Sequence, residues 1–302
     1  MSHGFKDMDM NLPLVSLIIP TYGRPVNIIR AINSCLSQSY QNIEIIVVDD
    51  NGKGSPQQIE TEKILRDNGL LGKISYLTHP CNKNGAAARN TGFRLSKGSF
   101  INFVDDDDEL STTKIADQVS FLTSHTDYDA CFCDTLHKMY KREFLIKNEI
   151  NPETSIMKDM LTGKLFFNTT TVLFRRNVIQ ELNGFDESFN RHQDYELYMR
   201  FCRSFKFGKS NGLVIKYQSE NIVSRNPLKS IDFLEFFLDK FKNDIDSLPD
   251  SNEIYRYQYE CLGDFLLSVK HTKEGIKYIR KAFKFGFPSF KRLSLYMYHL
   301  IK

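Results

Sequence analysis

From Leu14 to Asp107 short apolar runs alternate with longer amphipathic ones, and that order leaves few folds open. Leu14–Pro20 (LVSLIIP), Ile43–Val48 (IEIIVV), Ile74–Leu77 and Phe100–Val104 are short and bounded by turn residues, so they read as strands. Pro25–Gln38, Gln57–Asp67 and Ala86–Leu95 read as helices, the first with Ile28, Ile29, Ile32 and Leu36 on its inner face. Strands separated by helices imply βαβ units around a mixed, largely parallel α/β sheet. Ligands of open α/β sheets bind outside the carboxyl ends of the strands. Asp49 and Asp50 follow the second strand and Asp105–Asp108 the fourth, so the two acidic groups are expected to face one crevice.

Beyond Asp108 the pattern loosens. Thr113–Ser124 reads as helix, Tyr128–Met139 as extended, Thr169–Phe174 as strand and His192–Arg203 as helix. The simplest parse is an N-terminal extension over 1–13, an α/β domain over 14–225 and a helical region over 226–302. In that last region IDFLEFFLDKF precedes Glu253–Phe287. Tyr259, Leu262, Gly263, Leu266, Gly275, Ala282 and Pro288 fall where a tetratricopeptide-type helical hairpin places its packing residues. One copy makes an appendage, or the face of a homodimer, rather than a solenoid. Lys291–Lys302 (KRLSLYMYHLIK) sets basic ends around apolar residues and admits two readings, a helix on the inner-membrane surface or a packing face.

Charge and composition exclude several classes. With 40 basic and 37 acidic side chains the net charge is +3, which gives no sequence-independent grip on nucleic acid. No run approaches the roughly 18 apolar residues of a membrane span. Met1–Asn11, with His3, Lys6, Asp7 and Asp9, lacks the pattern of a secretory signal, so a cytoplasmic protein is expected. The six cysteines are scattered, and the Cys131/Cys133 spacing fits neither a zinc site nor a CxxC pair, which points to reduced thiols.

Four stretches carry chemistry. Adjacent carboxylates at Asp105–Asp108 repel one another, and a hard divalent ion, Mn²⁺ or Mg²⁺, would neutralise them; a solvated acidic turn is the plain alternative. In Asn84–Gly92 (NGAAARNTG), small residues such as Gly85 at a helix start let backbone amides approach an anion. Arg89 in the same stretch is suited to phosphate or to a structural salt bridge. Pro20, Thr21, Tyr22, Gly23 and Arg24 end the first strand beside Asp49 and Asp50, where a ring and a carboxylate can hold a planar base, Asp50 accepting from an imide N–H. Asp194, in GFDESFNRHQDYELYMR, opens a helix and suits either an N-cap or a general base.

PTYGRP, IIVVDDN, NGAAARNTG, FVDDDDEL and GFDESFNRHQDYEL, in that order over Val15–Arg225, resemble the inverting family 2 glycosyltransferases of the Rossmann-like GT-A fold. The resemblance implies a metal-dependent enzyme that moves a sugar from a nucleoside-diphosphate sugar, usually a UDP-sugar, to a hydroxyl. The acceptor class it implies is a glycan or polyprenyl-diphosphate-linked glycan of O-antigen, capsule or related surface polysaccharide, handled at the cytoplasmic face of the membrane. It places Pro20, Tyr22 and Asp50 around the nucleobase and Arg89 near base and phosphates. Asp105 and Asp107 match the ends of the DxD motif: Asp107 on the metal, and Asp105 and Asp106 on the ribose or metal-bound water. Asp194 matches the catalytic base, with Gln193 where Glu is commoner. Lacking any Trp, the chain has no QxxRW motif of processive synthases, which implies transfer of one or a few sugars. A sugar-phosphate nucleotidyltransferase, or a non-catalytic nucleotide-binding scaffold, is the competing reading; PTYGRP departs from the Gly-rich, basic first loop of the former.

Overall fold

The computed structural model describes residues 12–218, 227–287 and Tyr296. Its contacts divide the chain into two units, Met1–Asn148 with Phe167–Ser219, and Glu149–Phe166 with Glu220–Lys302.

The first unit begins with β1 (Val15–Thr21), α1 (Ile28–Leu36), β2 (Ile43–Asp49), α2 (Pro56–Asp67), β3 (Ser75–Thr78), α3 (Gly85–Leu95) and β4 (Phe100–Phe103). Within it β1 pairs in parallel with both β2 and β4, and β2 with β3. Leu17 and Ile19 of β1 pack with Ile28 and Ile32 of α1, while Ile46 and Val48 of β2 pack on Ala88 of α3. Burial on both faces is why these strands are written as unbroken apolar runs.

The chain continues through β5 (Asp108–Leu110), α4 (Lys114–Ser124), β6 (Ala130–Met139) and β7 (Arg142–Ile146). After α5 (Ile156–Leu161) of the other unit come a 3₁₀ turn (Thr169–Thr171), β8 (Val172–Arg175), α6 (Arg176–Glu181), α7 (Gln193–Phe201) and β9 (Phe207–Tyr217). The sheet order is β3-β2-β1-β4-β8-β6-β9-β5, with β7 on β6. The β4/β8, β6/β8, β6/β7 and β5/β9 pairs are antiparallel and β6/β9 is parallel, so the sheet is mixed, and its first four strands are parallel. The stretch expected to be a strand from Thr169 therefore begins as a turn and becomes strand only at Val172.

The second unit is helical: α5, α8 (Lys229–Lys240), α9 (Lys242–Asp246), α10 (Ser251–Ser268) and α11 (Thr272–Phe283). Lys158 of α5 pairs with Asp250 at 3.0 Å and with Glu253 at 3.4 Å, and Gln258 donates to the Leu161 carbonyl at 2.6 Å. By these contacts 149–166 packs with the C-terminal helices, although it lies inside the 14–225 span drawn from sequence. The expected hairpin is α10 and α11. A Cβ on Gly263 would lie 2.6 Å from Ile279 and 3.1 Å from the Gly275 carbonyl, so small residues at both positions let the helices touch. Among the described residues no helix is long and apolar enough to cross a membrane. Pro288 and, apart from Tyr296, the Lys291–Lys302 segment lie outside the described residues, as do the first eleven.

Candidate active site

The acidic loop leaves the carboxyl end of β4, and three basic side chains, Arg24, Arg89 and Lys216, reach its four carboxylates. Asp105 Oδ1 accepts from Arg89 Nη2 at 2.7 Å, and Lys216 of β9 lies 3.7 Å from its other oxygen. Burial opposes its ionisation, but Arg89 and Lys216 outweigh that and hold Asp105 below the ordinary carboxylate value. Asp106 points inward with a fully buried side chain, accepting from Thr21 Oγ1 at 2.7 Å. Arg24 Nη2 stands 2.6 Å from its other oxygen, off the hydrogen-bonding direction. Burial pushes Asp106 up to about 7 despite Arg24. Asp107 is ion-paired to Arg24 Nη1, and its backbone carbonyl accepts from Arg30 Nη2 at 2.8 Å. Asp108 opens β5, pairs with Lys216 at 3.0 Å, and is raised to about 6 by burial. Arg24, Arg89 and Lys216 thus divide the charge among them. A fully solvated acidic turn is ruled out by the burial of Asp106 and Asp108.

The NGAAARNTG stretch joins this loop to the GFDESFNRHQD segment. Arg89 bonds Asp105 with one nitrogen and Gln193 Oε1 at 2.8 Å with the other. Asn90 clamps Phe185, accepting its N–H at 2.8 Å and donating to its carbonyl at 2.9 Å, and Asn84 Nδ2 donates to the Glu187 carbonyl at 2.8 Å. Gly85 is where the bracket is tightest: a Cβ there would lie 3.0 Å from Arg89 Nη1 and 3.1 Å from Gln193 Oε1. Arg89, read from sequence as a phosphate ligand or a salt-bridge partner, has the second role in this structure.

The bracket brings Asp194 within electrostatic reach of Asp105. Asp194 is not the N-cap of α7: His192 holds that position in the left-handed region, at φ 48°, and Asp194 lies in the first turn with Oδ1 accepting the Tyr195 N–H at 3.0 Å. Its carboxyl is raised above the ordinary value, by burial first, with the Asp105 charge adding and His192 opposing. One turn on, Tyr198 is fully buried, and its hydroxyl has no hydrogen-bond partner among the described residues. The Asp105 and Asp194 charges both reach it and, after burial itself, raise its pKa well above normal.

The nucleobase reading is altered at two positions. Asp50 is buried and accepts four hydrogen bonds: His79 Nδ1 at 2.7 Å and the Lys83 N–H at 2.9 Å on Oδ1, Asn82 Nδ2 at 2.8 Å and the Asn84 N–H at 2.9 Å on Oδ2. A carboxylate has about four lone-pair sites. None is left for an imide N–H, so Asp50 organises the loop that leads into α3. Asp49, fully buried, likewise accepts from the Asn51 N–H at 2.9 Å and from the Tyr76 hydroxyl at 2.7 Å. Thr21 and Asp106 satisfy each other below the surface. Pro20 and Arg24 stay partly exposed and Tyr22 more so, leaving the Tyr22 ring open to a flat ligand.

A buried polar floor underlies the loop, and no local sequence pattern marks it. Lys114 Nζ, fully buried, donates to Asn102 Oδ1 at 2.8 Å, and Asn102 Nδ2 reaches the carbonyls of Thr170 and Val172 at 3.1 and 2.7 Å. Thr170 Oγ1 in turn accepts the Asp105 N–H at 3.0 Å. Lys216 is likewise unmarked in the sequence, because its link to the loop depends on the β5/β9 register.

Asp106 gives a pH prediction. Its folded value near 7 lies above the 3.8 of an ordinary Asp, so between those limits the folded chain holds a proton that the unfolded chain has released. Stability from this group is present below the lower limit and is lost as pH rises through the upper one. Urea unfolding should therefore show the ligand-free protein weaker at pH 7.5 than at pH 5, with on the order of 2 kcal/mol traceable to Asp106. Asp106→Asn should flatten that slope; an unchanged slope would show Asp106 to be ionised across the range.

An acidic loop at the carboxyl ends of the strands, bracketed by arginine and followed by a partly buried carboxylate, is compatible with a nucleotide-sugar enzyme, and the comparisons supply the class. The profile described as Glycosyl transferase family 2 matches residues 16–182, and the chain belongs to that family. It is an enzyme of the hexosyltransferase class, which sets aside the nucleotidyltransferase and scaffold readings. The amylovoran biosynthesis glycosyltransferase AmsB of Erwinia amylovora is 27% identical over 288 residues, covering 89% of this chain and 90% of that one. The UDP-Glc:alpha-D-GlcNAc-diphosphoundecaprenol beta-1,3-glucosyltransferase WfaP of Escherichia coli is 27% identical over 73% of this chain and 83% of that one. The mannosyltransferase PcManGT of Pyrobaculum calidifontis, solved with GDP-Man and Mn²⁺, superposes with a TM-score of 0.57 at 15% identity, over 95% of this chain and 80% of that one, and shares its fold.

Proposed function

We propose that the protein is an inverting, non-processive, divalent-cation-dependent glycosyltransferase. Its donor is a UDP-sugar, its acceptor a hydroxyl on a polyprenyl-diphosphate-linked glycan, and its product a bacterial surface polysaccharide. The observation that supports the reading is the Arg89 bracket, which ties Asp105 to Gln193, the residue preceding Asp194. Asp194 takes the proton from the acceptor hydroxyl as it attacks the anomeric carbon from the face opposite the nucleotide, and the configuration inverts. Tyr22 stacks on the base and Arg24, once it leaves Asp107, meets the diphosphate, while Arg89 keeps its bonds to Asp105 and Gln193. The names of AmsB and WfaP support the pathway, and that of WfaP the UDP donor and lipid-linked acceptor.

The residues present fit Mn²⁺ or Mg²⁺. Among the described residues no group of three or more His, Cys, Asp or Glu gathers around a common point, but a Mg²⁺-like ion is held by one or two carboxylates together with substrate phosphates. Asp105 and Asp107 each keep about a quarter of the side chain exposed and offer only hard oxygen donors. The ion would supply charge neutralisation to the departing diphosphate. Arg24 must leave Asp107 for that carboxylate to serve.

The test is a panel of labelled UDP-sugars with lipid-diphosphate-linked and free glycans. Transfer of one or a few sugars with inverted anomeric configuration is expected with Mn²⁺ present and is expected to stop in excess chelator. Asp107→Ala should raise the donor KM roughly tenfold and weaken Mn²⁺ binding followed by electron paramagnetic resonance. Full activity in chelator would remove Asp105 and Asp107 from the cation role, and a retained configuration would remove Asp194 as the base.

A further inference from the structure

We infer that the β6–β7 hairpin seats this enzyme on an anionic lipid bilayer. The inference stands on the hairpin alone and does not depend on the donor or acceptor proposed above. β6 and β7 are joined by the two-residue turn Tyr140–Lys141, and β7 pairs only with β6 among the described strands. Large apolar side chains are exposed along it: Met139 at 36%, Tyr140 at 73%, Phe144 at 37% and Leu145 at 45%. Phe144 and Leu145 are successive residues of a strand and point to opposite faces, so the ribbon presents apolar surface on both sides and at its tip. A ribbon that only covered a core would be apolar on one face.

The charge on the same segment is one-sided. Over 138–147, Lys138, Lys141, Arg142 and Lys147 face Glu143 alone, which leaves ten residues carrying +3, as much as the whole 302-residue chain. Exposed apolar residues interleaved with a basic cluster suit the headgroup boundary, where acyl chains take the apolar groups and acidic lipids take the cations. Nucleic acid would not reward aliphatic exposure at Met139 and Leu145, and protein interfaces are depleted in lysine.

The register explains what such seating would do. Asp108 of β5 pairs with Lys216 of β9, Lys216 with His137 of β6, and His137 with Phe144 of β7. These four residues form one row across neighbouring strands on one face, from the acidic loop to the hairpin edge. At about 4.8 Å per strand the row spans about 14 Å. A bilayer touching the edge strand would therefore lie within a few sugar lengths of the carboxylates.

The test is flotation of the full-length protein with phosphatidylcholine vesicles, with and without phosphatidylglycerol. Binding is expected only to the anionic vesicles and should weaken at high salt. Lys141→Glu with Arg142→Glu should lower the partition coefficient roughly tenfold or more. Tyr140→Ser with Leu145→Ser should also lower it, although every cation is kept. Both variants should retain the wild-type melting temperature and the transfer rate to a water-soluble acceptor. If the double charge reversal melts early, Lys141→Gln replaces it, with about a threefold loss expected. Wild-type protein that floats with neither vesicle, or with both equally, overturns the inference. So does a folded charge-reversed variant that binds as the wild type does, or a hairpin dimer by light scattering that the variants abolish without any vesicle binding in the wild type.

Discussion

Asp194→Asn is expected to lower sugar transfer by on the order of a thousandfold while leaving donor affinity within about twofold. The amide has nearly the shape of the carboxylate, and its oxygen can still accept the Tyr195 N–H that Asp194 accepts at 3.0 Å. The neighbouring Gln193 keeps its bond to Arg89, so Asp105 stays in place. What the variant loses is the ability to take a proton. The pH profile is a second readout. Burial, reinforced by the Asp105 charge, raises the Asp194 carboxyl, so wild-type kcat/KM should fall with decreasing pH along a limb above the ordinary Asp range. Below that limb Asp194 is protonated and idle. Residual turnover in Asp194→Asn should lack the limb, while calorimetry should show unchanged UDP binding. Turnover near the wild-type rate in this variant would falsify the base assignment.

The parts of this site that are local in sequence were legible, and those that depend on register were not. β1, β2 and β4 are covered on both faces, so burial writes them as apolar runs such as LVSLIIP and IEIIVV, and their carboxyl ends could be located from pattern alone. β5, with three residues, and β9, which opens Phe-Gly-Lys-Ser-Asn-Gly, carry no such run; both are strands because they pair with each other and β9 pairs with β6. Lys216 arrives at Asp105 and Asp108 through that pairing, so no local signal marks it. Residue type also misleads where a motif is used internally. NGAAARNTG looks like an anion cradle because small residues open a helix, yet Asn84 Nδ2, both terminal nitrogens of Arg89 and the amide of Asn90 bond other parts of the chain. An Asp at a strand end was read as a ligand contact; the donors that saturate Asp50 lie some thirty residues further along and become visible only when β3 and α3 are in place.

Asp50→Ala is expected to destabilise the protein by about 3 kcal/mol or more, with a fall in melting temperature of roughly 10 °C. Removing the carboxylate takes the acceptor from the buried His79 Nδ1 and from the half-buried N–H groups of Lys83 and Asn84, while Asn82 Nδ2 keeps the Asp50 carbonyl at 3.2 Å. Each such orphan costs about 1–3 kcal/mol, and local relaxation recovers part of the sum. Asp50→Asn should be intermediate, because its NH₂ group would confront two of those donors whichever way the amide is turned. If contact with the nucleobase were the main duty of Asp50, both variants would melt as the wild type does and differ from it only in donor KM. The contrast is Tyr22→Ala. That ring is 58% exposed, so its removal should shift stability by no more than about 0.5 kcal/mol while raising the donor KM through lost stacking. Thermal unfolding and donor titration of the two alanine variants should therefore separate along different axes, Asp50 in stability and Tyr22 in binding, and coincidence on either axis would reverse the division of labour at this edge of the sheet.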